Sequence, residues 1–356
     1  MTDQFFSKIA QTAVPYAWEK GVVPGMFRFD CNTLTDPPAC LDQFLNDMKR
    51  KCPINEYGDP DCSRLKALIA VYEKIKPNQV TVTNSGDEAI DILAKTFLDP
   101  GDKFMVTPPT YEMFQIQSQI NGGKRIDIPL TGRNFRIDKK EIIARCKKGR
   151  VKLIFLCNPN NPTGSVIHPA DIEEIVGKAG TVVVVDEAYR EFYGKTSVGL
   201  ISKYNNLVIL RSFSKFGSIA GARVGYLLAN QKVSEKFDAI RLPMGVSYFS
   251  SMLAERVLED KNWIIRNSGE IIRERTKLAK VFRKLGFEVY DSAANFLLVR
   301  IGDKAGEICR KLKSRKILVR DLSNQKYLEG CVRITVRSKN ENKILVCVLK
   351  EILNEK

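Results

Sequence analysis

Residues 181–189 read TVVVVDEAY. Alternate side chains of a strand point to opposite faces. Four consecutive valines therefore predict a strand buried on both faces, as in the centre of a parallel sheet covered by helices. The run stops on Asp186, with Tyr189 three residues on. Ligands in open α/β sheets lie beyond the carboxyl ends of the strands. The end of this strand is therefore the first place to look for chemistry.

The pattern repeats on both sides of it. QVTVT (79–83) reads as a strand, and SGDEAIDILAKTF follows as a helix with a small, acidic start. KFMVT is another strand. VKLIFLC (151–157) is a buried strand that runs into NPNNPTG (158–164), a turn-rich loop. DIEEIVGKAG is a helix, and NLVILRS and ARVGYLLAN complete the set. This alternation predicts an α/β domain with a mostly parallel central sheet.

After about residue 250 the character changes. Residues 251–286 form one long helical stretch, with a break expected near Asn262 or Gly269. FEVYDS, NFLLVRI, a helix over about 304–315, KILVR, CVRITV and a last helix from Asn340 follow. We expect an N-terminal arm over 1–35, a large domain over 36–250 and a smaller α+β domain over 251–356. The arm is expected to pack on the small domain or on a neighbouring subunit.

Composition narrows the class. The chain has 356 residues, 44% hydrophobic and 28% charged, which is ordinary for a globular protein. No apolar run approaches the ~18 residues needed to span a bilayer, and no secretory signal is expected at the N-terminus. The nine cysteines are scattered and never form CxxC, so free thiols in a cytoplasmic, reducing setting are expected. His168 is the only histidine, which argues against a zinc site and against a Ser-His-Asp triad. The net charge of +16 is spread along the chain. Its densest run, DKAGEICRKLKSRK (303–316), places Ala305, Ile308, Cys309 and Leu312 at helical spacing, so its charges are expected on a solvated face. Anionic small molecules suit this charge better than nucleic acid.

The strand ends carry an unusual set of groups. One ends at Asn84-Ser85-Gly86-Asp87, where free N–H groups of a helix start suit a phosphate. The next presents Tyr111, and another Asn158 and Asn161. SFSKFGSIAGARVGY (212–226) gathers Ser212, Ser214, Lys215 and Arg223 in a segment rich in small residues. Serine hydroxyls and arginine suit phosphate. A lysine in such company is either one more phosphate contact or a reactive amine. Taken singly, DEAY would suit any solvated strand end, NPNNPTG any turn, and a lone lysine a surface charge. Taken together they fit a flat phosphorylated heteroaromatic aldehyde, pyridoxal phosphate. Lys215 would bond its aldehyde, and Asp186 would keep its ring nitrogen protonated. Tyr189 and Asn161 would reach the ring hydroxyl, and Tyr111 would stack on the ring. Ser212, Ser214, Arg223 and the N–H groups of Gly86 and Asp87 would hold the phosphate.

NPNNPTG, DEAY and SxSK with Arg223 resemble the signatures of fold-type I pyridoxal-phosphate-dependent aminotransferases of class I and II. Within that superfamily VPY (14–16), YGDPDCSRL, GDEAID, PTYEMF, ANFLLVR, ILVRD and VRITV resemble histidinol-phosphate aminotransferases. The resemblance implies a cytoplasmic homodimer in which Tyr57 reaches the partner subunit's cofactor phosphate. It implies histidine biosynthesis, with L-histidinol phosphate as amino donor and 2-oxoglutarate as acceptor. It also implies that Arg333 binds the substrate anion, with Arg320, Tyr16 and Asn32 as further substrate-side residues. Some positions depart from the family pattern. Thr33 stands where an acidic residue is usual, Gly58 replaces a proline, Arg337 a glycine, and Gly245 an asparagine. A threonine-phosphate decarboxylase, an aromatic or other amino-acid aminotransferase, and a non-catalytic regulator on the same fold remain alternatives.

Overall fold

The computed structural model describes residues 5–12, 22–51 and 55–355. Its strands are β1 (Phe27–Phe29), β2 (Val80–Thr83), β3 (Lys103–Val106), β4 (Lys124–Asp127), β5 (Val151–Cys157) and β6 (Val182–Asp186). There follow β7 (Leu207–Ser212), β8 (Gly225–Leu228), β9 (Glu288–Val289), β10 (Phe296–Arg300), β11 (Ile317–Asp321) and β12 (Cys331–Thr335). They form two sheets, ordered β2-β8-β7-β6-β5-β3-β4 and β1-β11-β12-β10-β9.

The larger sheet is parallel from β7 through β6, β5 and β3 to β4. The valine run is its centre. Val183 and Val185 lie in one apolar core with Ile154, Leu156 and Ile209, while Val184 lies in the other with Leu153, Phe155 and Val208. Burial on both faces is what the unbroken valine run requires. The exception to parallel order is β8, antiparallel to both β2 and β7. That reversal puts the start of β8 beside the ends of its neighbours, because Gly225 pairs with both Thr83 and Ser212. Arg223, two residues earlier, thereby reaches the same edge as Ser85 and Ser212.

The smaller sheet is antiparallel except for β1, which pairs parallel with β11, Phe27 opposite Ile317. Its core joins Phe29, Phe296, Leu297 and Val332 to Ile271, Leu278 and Phe282 of the helix Lys261–Lys284. The basic run at 303–316 forms the helix Ala305–Ser314, with Ala305, Ile308 and Leu312 buried. The long helical stretch divides at Asp260, near Asn262 and not near Gly269, into Tyr248–Glu259 and Lys261–Lys284. The Asp260 carboxylate accepts a hydrogen bond from the Trp263 N–H (3.0 Å), an N-cap that starts the second helix afresh. Leu253, Ala254, Val257 and Leu258 of the first helix belong to the core of the larger sheet. Among the described residues, no helix is long and apolar enough to cross a membrane.

Candidate active site

The ends of β2 and β7 and the start of β8 form a tight cradle. Thr83 Oγ1 donates to the Ser85 carbonyl (2.8 Å), and Ser85 takes a left-handed backbone, φ +80°. Gly225 lets this loop press onto β8. A Cβ there would stand 2.6 Å from the Ser85 carbonyl carbon and 2.8 Å from the Gly86 nitrogen. Gly86, the second residue of the helix Ser85–Phe97, lies against Leu210 and Ser212. The Ser214 N–H donates to Ser212 Oγ (3.2 Å), and the Asp87 N–H to Ser85 Oγ (3.2 Å). Arg223, itself left-handed at φ +53°, donates to Asp87 Oδ2 (2.8 Å), and the Tyr111 hydroxyl donates to Asp87 Oδ1 (2.8 Å). The Asp87 carboxylate thus orients Tyr111 and Arg223 together. From the sequence, only the backbone N–H of Asp87 is expected to take part.

Lys215 and Asp186 stand beside this cradle. Lys215 Nζ donates to the Cys31 carbonyl (3.1 Å). Desolvation, with Arg333 close by, pulls its amine down to about 8. Asp186 is buried at the end of β6, its Oδ1 accepting from the Ala188 N–H (2.9 Å). Burial pushes its carboxyl up to about 7, and nearby Asp87 and Glu187 add to the rise. An amine of lowered basicity and a carboxyl that costs energy to ionise form a pair of perturbed groups typical of reactive sites.

The small sheet contributes the other wall. Arg333 on β12 donates through Nη1 to Asn161 Oδ1 (2.6 Å) and through Nη2 to the Asp30 carbonyl. Its guanidinium lies over the Phe296 ring, 5.5 Å from the centroid. Arg320 on β11 is the direct partner of Arg333 across the ladder. Asn32 is buried, and its Nδ2 donates to the Tyr189 hydroxyl (3.0 Å). Tyr189 is itself buried, and burial lifts its phenol above the ordinary range. Contacts therefore link Arg333 with Asn161, and Asn32 with Tyr189.

Tyr57 does not join them. It is 86% exposed and lines a separate cleft of about 620 Å³ with Tyr248, Phe249, Met244 and Met252. Tyr16 lies outside the described residues.

Two features escaped the sequence. The first is the stretch Asp30–Cys31, whose carbonyls receive Arg333 and Lys215; backbone acceptors leave no residue signature. The second is a buried ionic cluster behind the strand ends. Arg211 is 1% exposed, yet it meets Glu73 (2.9 Å), Glu187 (3.5 Å) and Glu191 (3.4 Å). Tyr226 donates to Glu73 (2.7 Å), Thr196 to Glu187 (2.6 Å) and Tyr72 to Glu191 (3.2 Å). Glu187 follows Asp186 and Arg211 precedes Ser212, so the cluster ties together the two strand ends that carry site residues. Its hint was the DEAYRE run after the valine strand.

The donor set fits pyridoxal phosphate. The Ser85–Gly86–Asp87 loop, Ser212, Ser214 and Arg223 can take its phosphate. Among the described residues Asp186 makes no salt bridge, so its carboxylate can take a ring nitrogen as its cation, and Lys215 has the lowered basicity needed to attack an aldehyde. Comparison with known proteins agrees. A family model for aminotransferase class I and II matches residues 25–349. The histidinol-phosphate aminotransferase of Caldanaerobacter subterraneus subsp. tengcongensis is 38% identical over 335 residues, covering 93% of this chain and 94% of its own. The crystal structure of the histidinol-phosphate aminotransferase from Clostridium acetobutylicum superposes with a TM-score of 0.84 at 25% identity, covering 93% of this chain and 100% of that one. The Sinorhizobium meliloti enzyme, solved in complex with pyridoxal-5'-phosphate, superposes at 0.87 with 22% identity and 98% coverage of both chains. The matched span runs from before β1 to the last helix and includes the cradle, Lys215 and both arginines: the chain belongs to the class I and II aminotransferases, and it is a pyridoxal-phosphate-dependent transaminase.

Proposed function

We propose that this transaminase moves the amino group of L-histidinol phosphate to 2-oxoglutarate, a step of histidine biosynthesis. One observation carries the reading: Arg320 and Arg333 face each other across β11 and β12. Like charges directly opposite on a sheet repel, so such a pair favours an anion between or above them. A phosphate of the donor and a carboxylate of the acceptor are both such anions, and arginine binds either in bidentate fashion. The near full-length similarity to curated histidinol-phosphate aminotransferases supports the choice of donor.

Bound pyridoxal phosphate supplies an aldehyde for the amino group and a ring that accepts electrons from the substrate Cα. The chain's residues do the rest. Lys215 Nζ would hold the aldehyde carbon, and as a free amine it would take the proton from the substrate Cα and deliver it to the former aldehyde carbon. Asp186 would keep positive charge on the ring nitrogen. Asn161 and Tyr189 would hydrogen-bond the ring hydroxyl, and Tyr111 would lie against the ring. Gly86, Asp87, Ser212, Ser214 and Arg223 hold the phosphate, and Asn32 positions Tyr189. Lys215→Ala is expected to fold and to lose turnover.

The same reading makes the enzyme a homodimer. Tyr57 is exposed on its own chain and shares a cleft with the exposed apolar residues Met244 and Phe249, and a second copy would carry it to the partner's cofactor phosphate. Scattered cysteines, free thiols where described, support a cytoplasmic setting. The test is turnover of L-histidinol phosphate with 2-oxoglutarate, counted as glutamate formed. Release of carbon dioxide in place of amino transfer would move the enzyme to the decarboxylases of the same fold.

A further inference from the structure

Residues 28–35 cross the site as a strap. Three groups in its middle touch three site residues. The Cys31 carbonyl accepts from Lys215 Nζ (3.1 Å), the Asp30 carbonyl accepts from Arg333, and the Asn32 side chain donates to the Tyr189 hydroxyl (3.0 Å). Asn32 is left-handed, φ +55°, a conformation that asparagine tolerates but that must be held in place.

What holds the ends of the strap is Arg337, where the family resemblance leads one to expect glycine. Arg337 is 8% exposed. Its Nη1 donates to the Arg28 carbonyl (3.1 Å) and the Thr33 carbonyl (3.4 Å), on either side of residues 30–32. Its Nε and Nη2 pair with the two oxygens of Glu341, at 2.7 and 3.2 Å. Glu341 in turn accepts from Thr35 Oγ1 (2.5 Å), and Thr35 Oγ1 accepts from the Ser338 N–H (2.9 Å). The Arg337 guanidinium also lies over the Phe29 ring, 5.9 Å from its centroid. Burial works against the Glu341 carboxylate, but the Arg337 and Thr35 hydrogen bonds hold its pKa below the ordinary value. The pair therefore grips the strap at residues 28, 29, 33 and 35. Glycine at 337 could make none of the side-chain contacts.

We infer that Arg337 and Glu341 are positioning residues: a clamp that fixes the strap so that its carbonyls and Asn32 set Lys215, Arg333 and Tyr189 for the amino donor. They act through the strap and touch no substrate. The phosphate cradle is built from the loops of the larger sheet and does not depend on the clamp. Loss of the clamp is expected to cost donor turnover far more than cofactor affinity, because the clamp reaches Lys215 and Tyr189 only through the strap and holds no part of the phosphate cradle. Misplacement of about 1 Å at a reacting group costs up to about a hundredfold. Removing Arg337 also leaves the buried Glu341 without its ion partner.

The experiment uses the cofactor-loaded full-length enzyme and its Arg337→Ala, Arg337→Lys and Thr35→Val variants. Hydrogen exchange of the segment spanning residues 28–35 is measured beside that of residues 83–90 and 210–216. The cofactor Kd and the kcat/KM for L-histidinol phosphate are measured in parallel. We expect Arg337→Ala to accelerate exchange at least tenfold in residues 28–35 alone. We expect kcat/KM to fall about tenfold to a hundredfold, Arg337→Lys to recover part of it, and cofactor Kd to stay within about threefold. Thr35→Val removes one hydroxyl and no charge. It is expected to accelerate the same segment by a smaller factor, and it decides the matter if Arg337→Ala does not fold. Unchanged exchange in residues 28–35, unchanged kcat/KM, or a cofactor Kd that rises in step with the loss of kcat/KM would overturn the inference. The inference rests on the amino-donor reading of Arg333 but not on which donor is used. If the wild-type enzyme ignores L-histidinol phosphate, that reading of the donor fails, and exchange with cofactor Kd still decides the clamp.

Discussion

Arg320 and Arg333 are direct partners across the antiparallel β11–β12 ladder, so two guanidiniums leave the same face of the small sheet. Arg333 is further aimed by Asn161 and the Asp30 carbonyl. Hydrogen bonds to charged groups contribute about 1.5–3 kcal/mol each. Arg333→Met is therefore expected to lower kcat/KM for the phosphorylated donor roughly a hundredfold and Arg320→Met roughly tenfold. If both arginines meet one anion, as proposed, the double variant should lose less than the product of the two. Steady-state kinetics of the four proteins check this.

Lys215 predicts how cofactor capture depends on pH. Its amine titrates at about 8 in the folded protein, against 10.5 unperturbed, and only the neutral form attacks an aldehyde. The rate of capture by cofactor-free enzyme should rise about tenfold per pH unit below pH 8 and level off above it. A depressed lysine contributes stability above its unfolded pKa that is lost as pH falls through about 8. Stopped-flow capture across this range is the measurement.

Asp186 carries the opposite sign. Its carboxyl is raised from 3.8 to about 7 by burial. It therefore contributes stability below its unfolded pKa that is lost as pH rises through about 7 in the cofactor-free protein. Asp186→Asn should stabilise that form at pH 8 by roughly 1–3 kcal/mol and lower kcat by about a thousandfold. Thermal unfolding of the cofactor-free pair and kcat of the loaded pair check both halves. A variant that is more stable and inactive marks a group kept for chemistry at a cost in stability.

Much of the larger sheet was legible because buried strands and strand-end motifs are local signals. The valine run, NPNNPTG and the serine–lysine segment each announce themselves within ten residues. What was not legible depends on distant pairs. Cys31 meets Lys215 across 184 positions, and Glu73 meets Arg211 across 138. The first partner is a backbone carbonyl and the second a carboxylate inside an ordinary helix pattern, so neither leaves a mark. The place of Leu253 and Val257 in the larger core was hidden for a related reason: helical periodicity shows which face is buried, not against what. Arg337 was visible only as a departure from the family pattern, and its contacts with Arg28, Thr33 and Glu341 give that departure a physical meaning.

Gly225 tests the cradle by sterics alone. An added Cβ would stand 2.6 Å from the Ser85 carbonyl carbon, which is backbone and cannot swing aside. Gly225→Ala should cost about 1–3 kcal/mol of stability and raise the cofactor Kd at least tenfold, while Gly199→Ala, with open space around it, should do neither. Calorimetry and cofactor titration read the two effects.

Tyr57 tests the subunit arrangement. If it serves the partner's site, mixing Tyr57→Phe with Lys215→Ala protein gives hybrid dimers with one intact site, and activity at low cofactor concentration should reappear. No recovery on mixing would place Tyr57 outside the partner's site.

The central claim is tested most directly by one single-turnover measurement. Purified enzyme carrying pyridoxal phosphate on Lys215 is mixed with L-histidinol phosphate, with no acceptor present, and the visible absorbance of the bound cofactor is followed. The account predicts rapid loss of that absorbance, with one equivalent of pyridoxamine phosphate and of the carbonyl product. No change, in enzyme shown to hold the cofactor on Lys215, would contradict the proposed donor and direct attention to phosphothreonine and the aromatic amino acids.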